Sequence, residues 1–120
     1  LFWTHGGAHD ITLPAATAGI HFKFVLAVGS GHANRIAAAS GDGFYGKVTV
    51  TKSGANDKNS TQAVVKGSAT DYISLHASTT SLGGNVGDVI ELWCYEAGYW
   101  NVEARLSSTG NPSSTAVLTD

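Results

Sequence analysis

Methionine is absent from this sequence, cysteine occurs once, and charged residues make up only 13% of the chain. A single cysteine excludes an intrachain disulfide, so the fold must be stable without one. The few lysine and arginine residues are scattered and the formal net charge is −2, which argues against direct binding of nucleic-acid phosphates. No apolar run approaches the roughly 20 residues of a membrane-spanning helix, so no membrane partner is expected. Leu1 in place of methionine indicates that the sequence begins inside a longer product.

Small residues are plentiful instead, with glycine, alanine, serine and threonine spread along the whole chain. Turn clusters rich in these residues separate short alternating segments, which is typical of an all-β protein. A length of 120 residues fits one domain with a single core. We therefore expect an N-terminal arm at residues 1–10 and one β-domain at residues 11–120.

The clearest segment is residues 87–108, which is predicted to form a long β-hairpin. Apolar residues alternate on both arms and share one face if residues 96–98 form a three-residue loop with Gly98 in the left-handed conformation. That register places Cys94 opposite Trp100 and Leu92 opposite Val102. The predicted inner face consists of Ile90, Leu92, Cys94, Trp100, Val102, Ala104 and Leu106.

Other short strands are predicted at residues 11–14, 21–28, 35–40, 44–51, 62–66 and 71–77, with a last strand or tail at 115–118. Residues 52–61 are polar and are predicted to be a surface loop. About eight strands without a helix of useful length indicate an antiparallel β-sandwich of the jelly-roll type or a small barrel.

Catalytic and metal-binding patterns are weak. His21 and His76 lie on outward faces of predicted strands and could share a metal only if those strands were neighbours. Glu91 and Glu103 are predicted to face each other across the hairpin, where Arg105 lies within diagonal reach, and a solvated charged face is the simpler interpretation. Cys94 on the apolar face is expected to be a buried, inert thiol. We expect no enzyme activity, no metal and no cofactor.

Surplus aromatic residues are the more informative feature. Trp93, Tyr95 and Tyr99 fall on the hairpin face opposite the predicted core, where they either lie under a loop or meet a partner. Phe2 and Trp3 in the arm either cover the end of the domain's own core or contact a neighbouring chain. These five residues form the predicted interaction surface.

Two stretches resemble segments of structural proteins of tailed bacteriophages. Residues 10–28, with ITLPAATAG before alternating aromatic residues, are similar to a strand ending in T-L-P that precedes a glycine and an F-x-F strand. Residues 87–102, GDVIELWCYEAGYWNV, are similar to the G-D-x-I-x-L…W-x-V hairpin that often closes the same domains. The loop EAG departs from the Asp-Gly or Asn-Gly turn that is usual there, which leaves the subtype open.

The resemblance implies a non-enzymatic virion component on the capsid exterior, such as a capsid decoration (cement) protein or a fibre domain. It implies contacts with the major capsid protein or other virion subunits and a homo-oligomer, most often a trimer. The alternative is a carbohydrate-binding, lectin-like module, because an exposed aromatic platform can also stack on sugar rings.

Overall fold

The computed structural model describes residues 9–29, 32–52, 59–67, 70–76, 82–112 and 117–120, and the backbone of residues 2–3. These residues form ten strands and no helix, so no described segment could cross a membrane as a helix. The strands are β1 (Phe2–Trp3), β2 (Asp10–Thr12), β3 (His21–Leu26), β4 (Asn34–Ala37), β5 (Gly43–Lys52), β6 (Asn59–Val64), β7 (Tyr72–Leu75), β8 (Val89–Glu96), β9 (Tyr99–Ser108) and β10 (Leu118–Thr119).

Two mixed sheets pack together, which confirms the predicted all-β sandwich. The six-stranded sheet has the order β1-β3-β8-β9-β5-β6 and the four-stranded sheet has the order β10-β7-β4-β2. Three neighbouring pairs are parallel, namely β1 with β3, β2 with β4 and β5 with β9, so the expectation of purely antiparallel sheets needs correction. Alternation along a strand specifies which face is buried, but it does not specify the direction of a neighbour that is distant in sequence.

The hairpin of β8 and β9 lies at the centre of the six-stranded sheet. Its predicted inner face is buried at every position, and Leu92 pairs with Val102 as expected. The predicted three-residue loop is wrong, because Glu96 pairs with Tyr99 across a two-residue turn. The register is irregular between Trp93 and Glu96, so Cys94 is not paired directly with Trp100.

The turn residues explain this irregularity. Gly98 has φ 88°, while no described residue other than glycine has a positive φ. A two-residue hairpin turn with only its second residue in the left-handed region does not match the twist of the flanking strands. The strands must therefore compensate with a bulge near the turn.

Trp100 is the largest fully buried side chain of the core. Its ring lies 5.6 Å from the ring of Phe22 at a tilt of 41°. Among the described residues, the Trp100 Nε1 atom is the one buried side-chain nitrogen or oxygen without a hydrogen-bond partner. The favourable burial of this indole therefore carries a desolvation cost of about 1–3 kcal/mol.

Strand β6 begins earlier than predicted, because Asn59, Ser60 and Thr61 extend it into the segment expected to be a loop. The side chain of Gln62 in this strand forms hydrogen bonds with the backbone of Val117 and Leu118. Its Oε1 accepts hydrogen bonds from the backbone N–H groups of Val117 (3.1 Å) and Leu118 (2.8 Å), and its Nε2 donates to the Leu118 carbonyl at 2.7 Å. This side chain connects the six-stranded sheet to β10 of the other sheet.

Asp88, which directly precedes β8, is buried, and both of its carboxylate oxygens accept hydrogen bonds. Its Oδ2 accepts hydrogen bonds from the backbone N–H groups of Gly84, Asn85 and Ser107, each at 2.9 Å. Its Oδ1 accepts from the Ser107 hydroxyl at 2.7 Å. One carboxylate thus joins the turn before β8 to the end of β9, and the Asp of the G-D-x-I-x-L segment has a structural role.

Candidate functional site

The predicted aromatic residues of the hairpin lie on the outer face of the six-stranded sheet or at its end. Tyr95 is 67% exposed, whereas Trp93 and Tyr99 are half-buried by neighbours from other strands. Because Trp93 pairs with Asn101, it is a diagonal neighbour of Tyr99 on this face. The structure therefore places Trp93 and Tyr99 close together and leaves Tyr95 near the hairpin turn.

Strand β3 provides the neighbours of Trp93. His21 pairs directly with Trp93, and the two rings stack with centroids 4.9 Å apart and planes 8° from parallel. Nε2 of His21 also lies 3.9 Å from a carboxylate oxygen of Glu91, which forms an ion pair with Lys23 at 3.5 Å. The indole is thus held in one orientation by a network that sequence alternation alone did not reveal.

Strand β5 and the segment that follows β6 provide the neighbours of Tyr99. The ring of Tyr45 meets the Tyr99 ring edge-on at 6.4 Å, and the Lys66 ammonium lies 5.0 Å from the Tyr99 centroid. Lys66 also forms an ion pair with Glu96. The hydrogen bond to Glu96 is the main reason why the pKa of Lys66 is raised. Tyr45 was not predicted as a site residue, although alternation along β5 places its side chain on the face opposite to that of the buried Phe44.

Asn101 lies between the two aromatic pairs. It pairs with Trp93 of β8 on one side and with Tyr45 of β5 on the other, so the three residues form one row across the sheet. At a strand spacing of about 4.8 Å, Trp93 and Tyr45 are about 10 Å apart in the backbone. An amide flanked by two aromatic side chains is an arrangement that sequence analysis did not identify, since it depends on the parallel pairing of β5 with β9.

A charged row lies next to the aromatic row. Glu91 pairs with Glu103, as predicted, and Glu103 pairs with Lys47 on its other side. Lys23 completes the row beside Glu91. Each glutamate therefore has a lysine as its outer neighbour. Lys23 and Lys47, and not Arg105 alone, offset the repulsion between the two carboxylates.

The arm residues Phe2 and Trp3 form β1, whose backbone pairs with Val25 and Leu26 at the edge of the six-stranded sheet. Their side chains, like residues 4–8, lie outside the described residues. Both predicted roles of these side chains, covering the end of the domain's own core and contacting a neighbouring chain, stay predictions.

In the described part of the chain, no group of three or more histidine, cysteine or acidic residues is placed so that it could hold a metal ion. His21 belongs to the six-stranded sheet, whereas His76 follows β7 of the four-stranded sheet, so the two predicted strands are not neighbours.

A separate polar cluster lies on the four-stranded sheet. Arg35 donates two hydrogen bonds to the carboxylate of Asp10, at 3.1 and 2.6 Å, and its guanidinium lies 4.4 Å from the centroid of the Tyr72 ring. The hydrogen bonds from Arg35 lower the pKa of Asp10. Asp10 and Arg35 are paired in the parallel ladder of β2 and β4, so this ion pair supports the register of an edge strand.

Cys94 is 3% exposed, and its thiol donates a hydrogen bond to the Glu96 carbonyl at 3.0 Å. Burial raises the pKa of this thiol, so the reactive thiolate is scarce at neutral pH.

We expect Cys94 of the folded protein to react with an aromatic disulfide reagent at pH 8 at least about tenfold more slowly than free cysteine. The rate should rise with pH, because the raised pKa shifts thiolate formation to more alkaline solution. In denaturant it should approach the rate of free cysteine. Reaction of the folded protein at the rate of free cysteine would contradict this assignment.

Comparison with known proteins gives no match, since no family model, no curated protein and no solved structure matches this chain significantly.

Proposed function

We propose that this protein is a non-enzymatic structural subunit of a tailed-bacteriophage virion, located on the capsid exterior. It would stabilise the shell by binding the major capsid protein or other virion subunits, and it would associate with its own copies, most simply as a trimer. The role is mechanical, because burying apolar surface between subunits opposes their separation.

The observation that carries this proposal is the distribution of exposed apolar side chains. Among the described residues, the large hydrophobic side chains with high exposure are Tyr95 (67%), Val65 (76%), Val28 (38%) and Val86 (67%). They lie in two pairs at opposite ends of the six-stranded sheet. We name Tyr95 and Val65 the hairpin-end patch.

An ion pair at one end of the six-stranded sheet and a backbone hydrogen bond at the other bring together the segments that carry each exposed pair. The ion pair between Lys66 and Glu96 brings the residues after β6 to the hairpin turn, next to Tyr95. At the other end, the N–H of Gly87 donates to the Leu26 carbonyl at 2.8 Å, which joins the segments that carry Val86 and Val28. These exposed apolar residues mark the two ends of the sheet as the surfaces that we propose for contact with subunits on two sides.

The segments that resemble phage structural proteins also contribute to the scaffold. The Ala16 N–H donates to Oδ2 of Asp42 at 2.6 Å, and the Gly98 N–H donates to the Ala16 carbonyl at 3.1 Å. The L-P-A-A-T-A-G segment is therefore fastened to the hairpin turn. Together with Asp88, it stiffens a domain whose proposed task is to resist force.

The native mass tests the self-association. We expect the recombinant chain to form a discrete oligomer in analytical ultracentrifugation and to co-sediment with expanded tailed-phage heads stripped of their decorating subunits. Val65→Asp should raise the dissociation constant of whichever association uses the hairpin-end patch about tenfold or more, because a carboxylate would have to lose its hydration in the interface.

Ala63→Asp is the matched control, since Ala63 is an exposed residue of the same edge strand but lies away from the hairpin turn. A chain that stays monomeric at high concentration and does not bind the heads would refute the proposal. An equal loss of association in both variants would refute the hairpin-end patch as the contact surface.

A further inference from the structure

The outer face of the six-stranded sheet carries two adjoining depressions, of about 570 and 350 Å³, which share Glu103 and Arg105. We name this combined feature the outer groove. Its polar lining residues are Lys23, Lys47, Thr49, Thr51, Glu91, Asn101, Glu103 and Arg105. It is separate from the hairpin-end patch, and nothing in the proposed capsid role requires it.

The floor of the outer groove is rigid. It consists of β5 and β9, which are paired over ten successive residues, from Gly43 with Tyr99 to Lys52 with Ser108. Gly46, Val102 and Ala104 also line the larger depression; Val102 and Ala104 are buried on the inner face, so the surface that they contribute on the outer face is backbone. A ligand would therefore meet a preformed surface, and little conformational entropy would be lost on binding.

The charged side chains along the groove are of both signs, with three basic residues (Lys23, Lys47 and Arg105) and two acidic ones (Glu91 and Glu103). Lys23 lies 3.5 Å from Glu91, and Lys47 pairs with Glu103 in the parallel ladder. An anionic ligand would meet the two carboxylates as well as the lysines, and a cation would meet the lysines. The lining thus offers hydrogen-bond donors and acceptors side by side, which suits uncharged groups that both donate and accept, such as hydroxyls.

Aromatic side chains border one end of the groove. Asn101 belongs to the lining and pairs with Trp93 and Tyr45 on its two sides. The stack with His21 and the edge contact with Tyr99 hold these two rings in place. An aromatic ring carries partial negative charge on its face, which attracts the polarised C–H groups on the flat side of a sugar ring.

We propose that the outer groove binds a short stretch of an uncharged polysaccharide along β5 and β9. One sugar ring packs at the aromatic end, where the Asn101 amide bonds to its hydroxyls, and the following rings bond to Glu103, Arg105 and the threonines of β5. A ligand that is mainly apolar does not fit, because the lining is polar and shallow.

The test is titration of the full chain with neutral hexasaccharides of β-1,4-glucose, α-1,4-glucose, N-acetylglucosamine, mannose and galactose. The readouts are tryptophan emission and the NMR resonances of the Asn101 side-chain amide. We expect at least one of these probes to give saturable changes in both readouts. Asn101→Ala should weaken that binding about tenfold or more, since it removes a bidentate polar contact without removing a ring.

Two further variants keep the test decisive. Glu103→Gln, an exposed substitution that should leave the fold intact, should also weaken binding, whereas Asp71→Asn, directly before β7 of the other sheet, should leave binding unchanged. The inference is overturned if no probe binds at millimolar concentration, or if binding persists unchanged in Asn101→Ala and Glu103→Gln. Binding of a sulfated oligosaccharide alone, abolished by Lys47→Gln, would overturn it in favour of an anion site.

Discussion

Replacing Gly46 by alanine is expected to lower the free energy of unfolding by about 4 kcal/mol, from the combined costs of backbone strain and overpacking. Gly46 lies inside β5 between β6 and β9, with φ 128°. An ideal Cβ at this position would lie 2.2 Å from the carbonyl oxygen and 2.9 Å from the nitrogen of Val102. The obstructing atoms are backbone atoms of a paired strand, so relief would require the sheet to separate locally. Urea denaturation followed by circular dichroism measures the loss.

Gly41→Ala separates the steric effect from conformational strain. Gly41 also has a positive φ, of 89°, but a Cβ there would meet nothing within 4 Å. Its substitution should therefore cost only about 1–2 kcal/mol, the usual price of a left-handed conformation for a residue with a Cβ. Equal losses for the two variants would contradict the close approach of β5 to β9 at Gly46.

Replacing Asp88 by alanine is expected to destabilise the protein by about 3 kcal/mol, because four hydrogen bonds to one carboxylate are lost together. The substitution would leave the backbone N–H groups of Gly84, Asn85 and Ser107 without their acceptor. The bond from Gly84 is buried, so water cannot readily replace it. Thermal and urea denaturation measure the change, and hydrogen exchange at Ser107 should accelerate.

Asp88→Asn should be less damaging than alanine, because the amide oxygen can take the place of Oδ2 as acceptor for the three backbone N–H groups, while the amide N–H group can donate to the Ser107 hydroxyl. Ser107→Ala removes only the 2.7 Å hydroxyl bond and should cost about 1 kcal/mol. Asp71→Ala, at an exposed aspartate, should change stability by less than about 0.5 kcal/mol. A loss below 1 kcal/mol for Asp88→Ala would contradict the role of this carboxylate as a joint between the turn and β9.

The aromatic row shows how far sequence reasoning reached. Alternation in the hairpin placed Trp93 and Tyr99 away from the core, because the side-chain direction in a strand depends only on adjacent residues. Tyr45 and His21 were not recognised as their partners. These contacts arise from pairings between β5 and β9 and between β3 and β8, which join residues more than fifty positions apart. No local pattern specifies such neighbours.

The length of the hairpin loop is a second feature that the sequence did not predict, although the residues involved are close together in the chain. Gly98 was correctly expected to have a positive φ, yet the loop has two residues rather than three. The loop length depends on whether Glu96 pairs with Tyr99, and that pairing is coupled to the Lys66 ion pair and to the contact of Gly98 with Ala16. Tertiary contacts thus selected one of two turns that the sequence allows.

The sequence by itself determined the all-β class, the buried face of the central hairpin and the burial of Cys94 and Trp100, because each follows from a period of two and from hydrophobicity. Only the tertiary structure decided the mixed direction of the strands, the row of Trp93, Asn101 and Tyr45, and the position of Gly46 against Val102. These features depend on which distant strands pair and in which register, and that choice is made by the packing of the whole core.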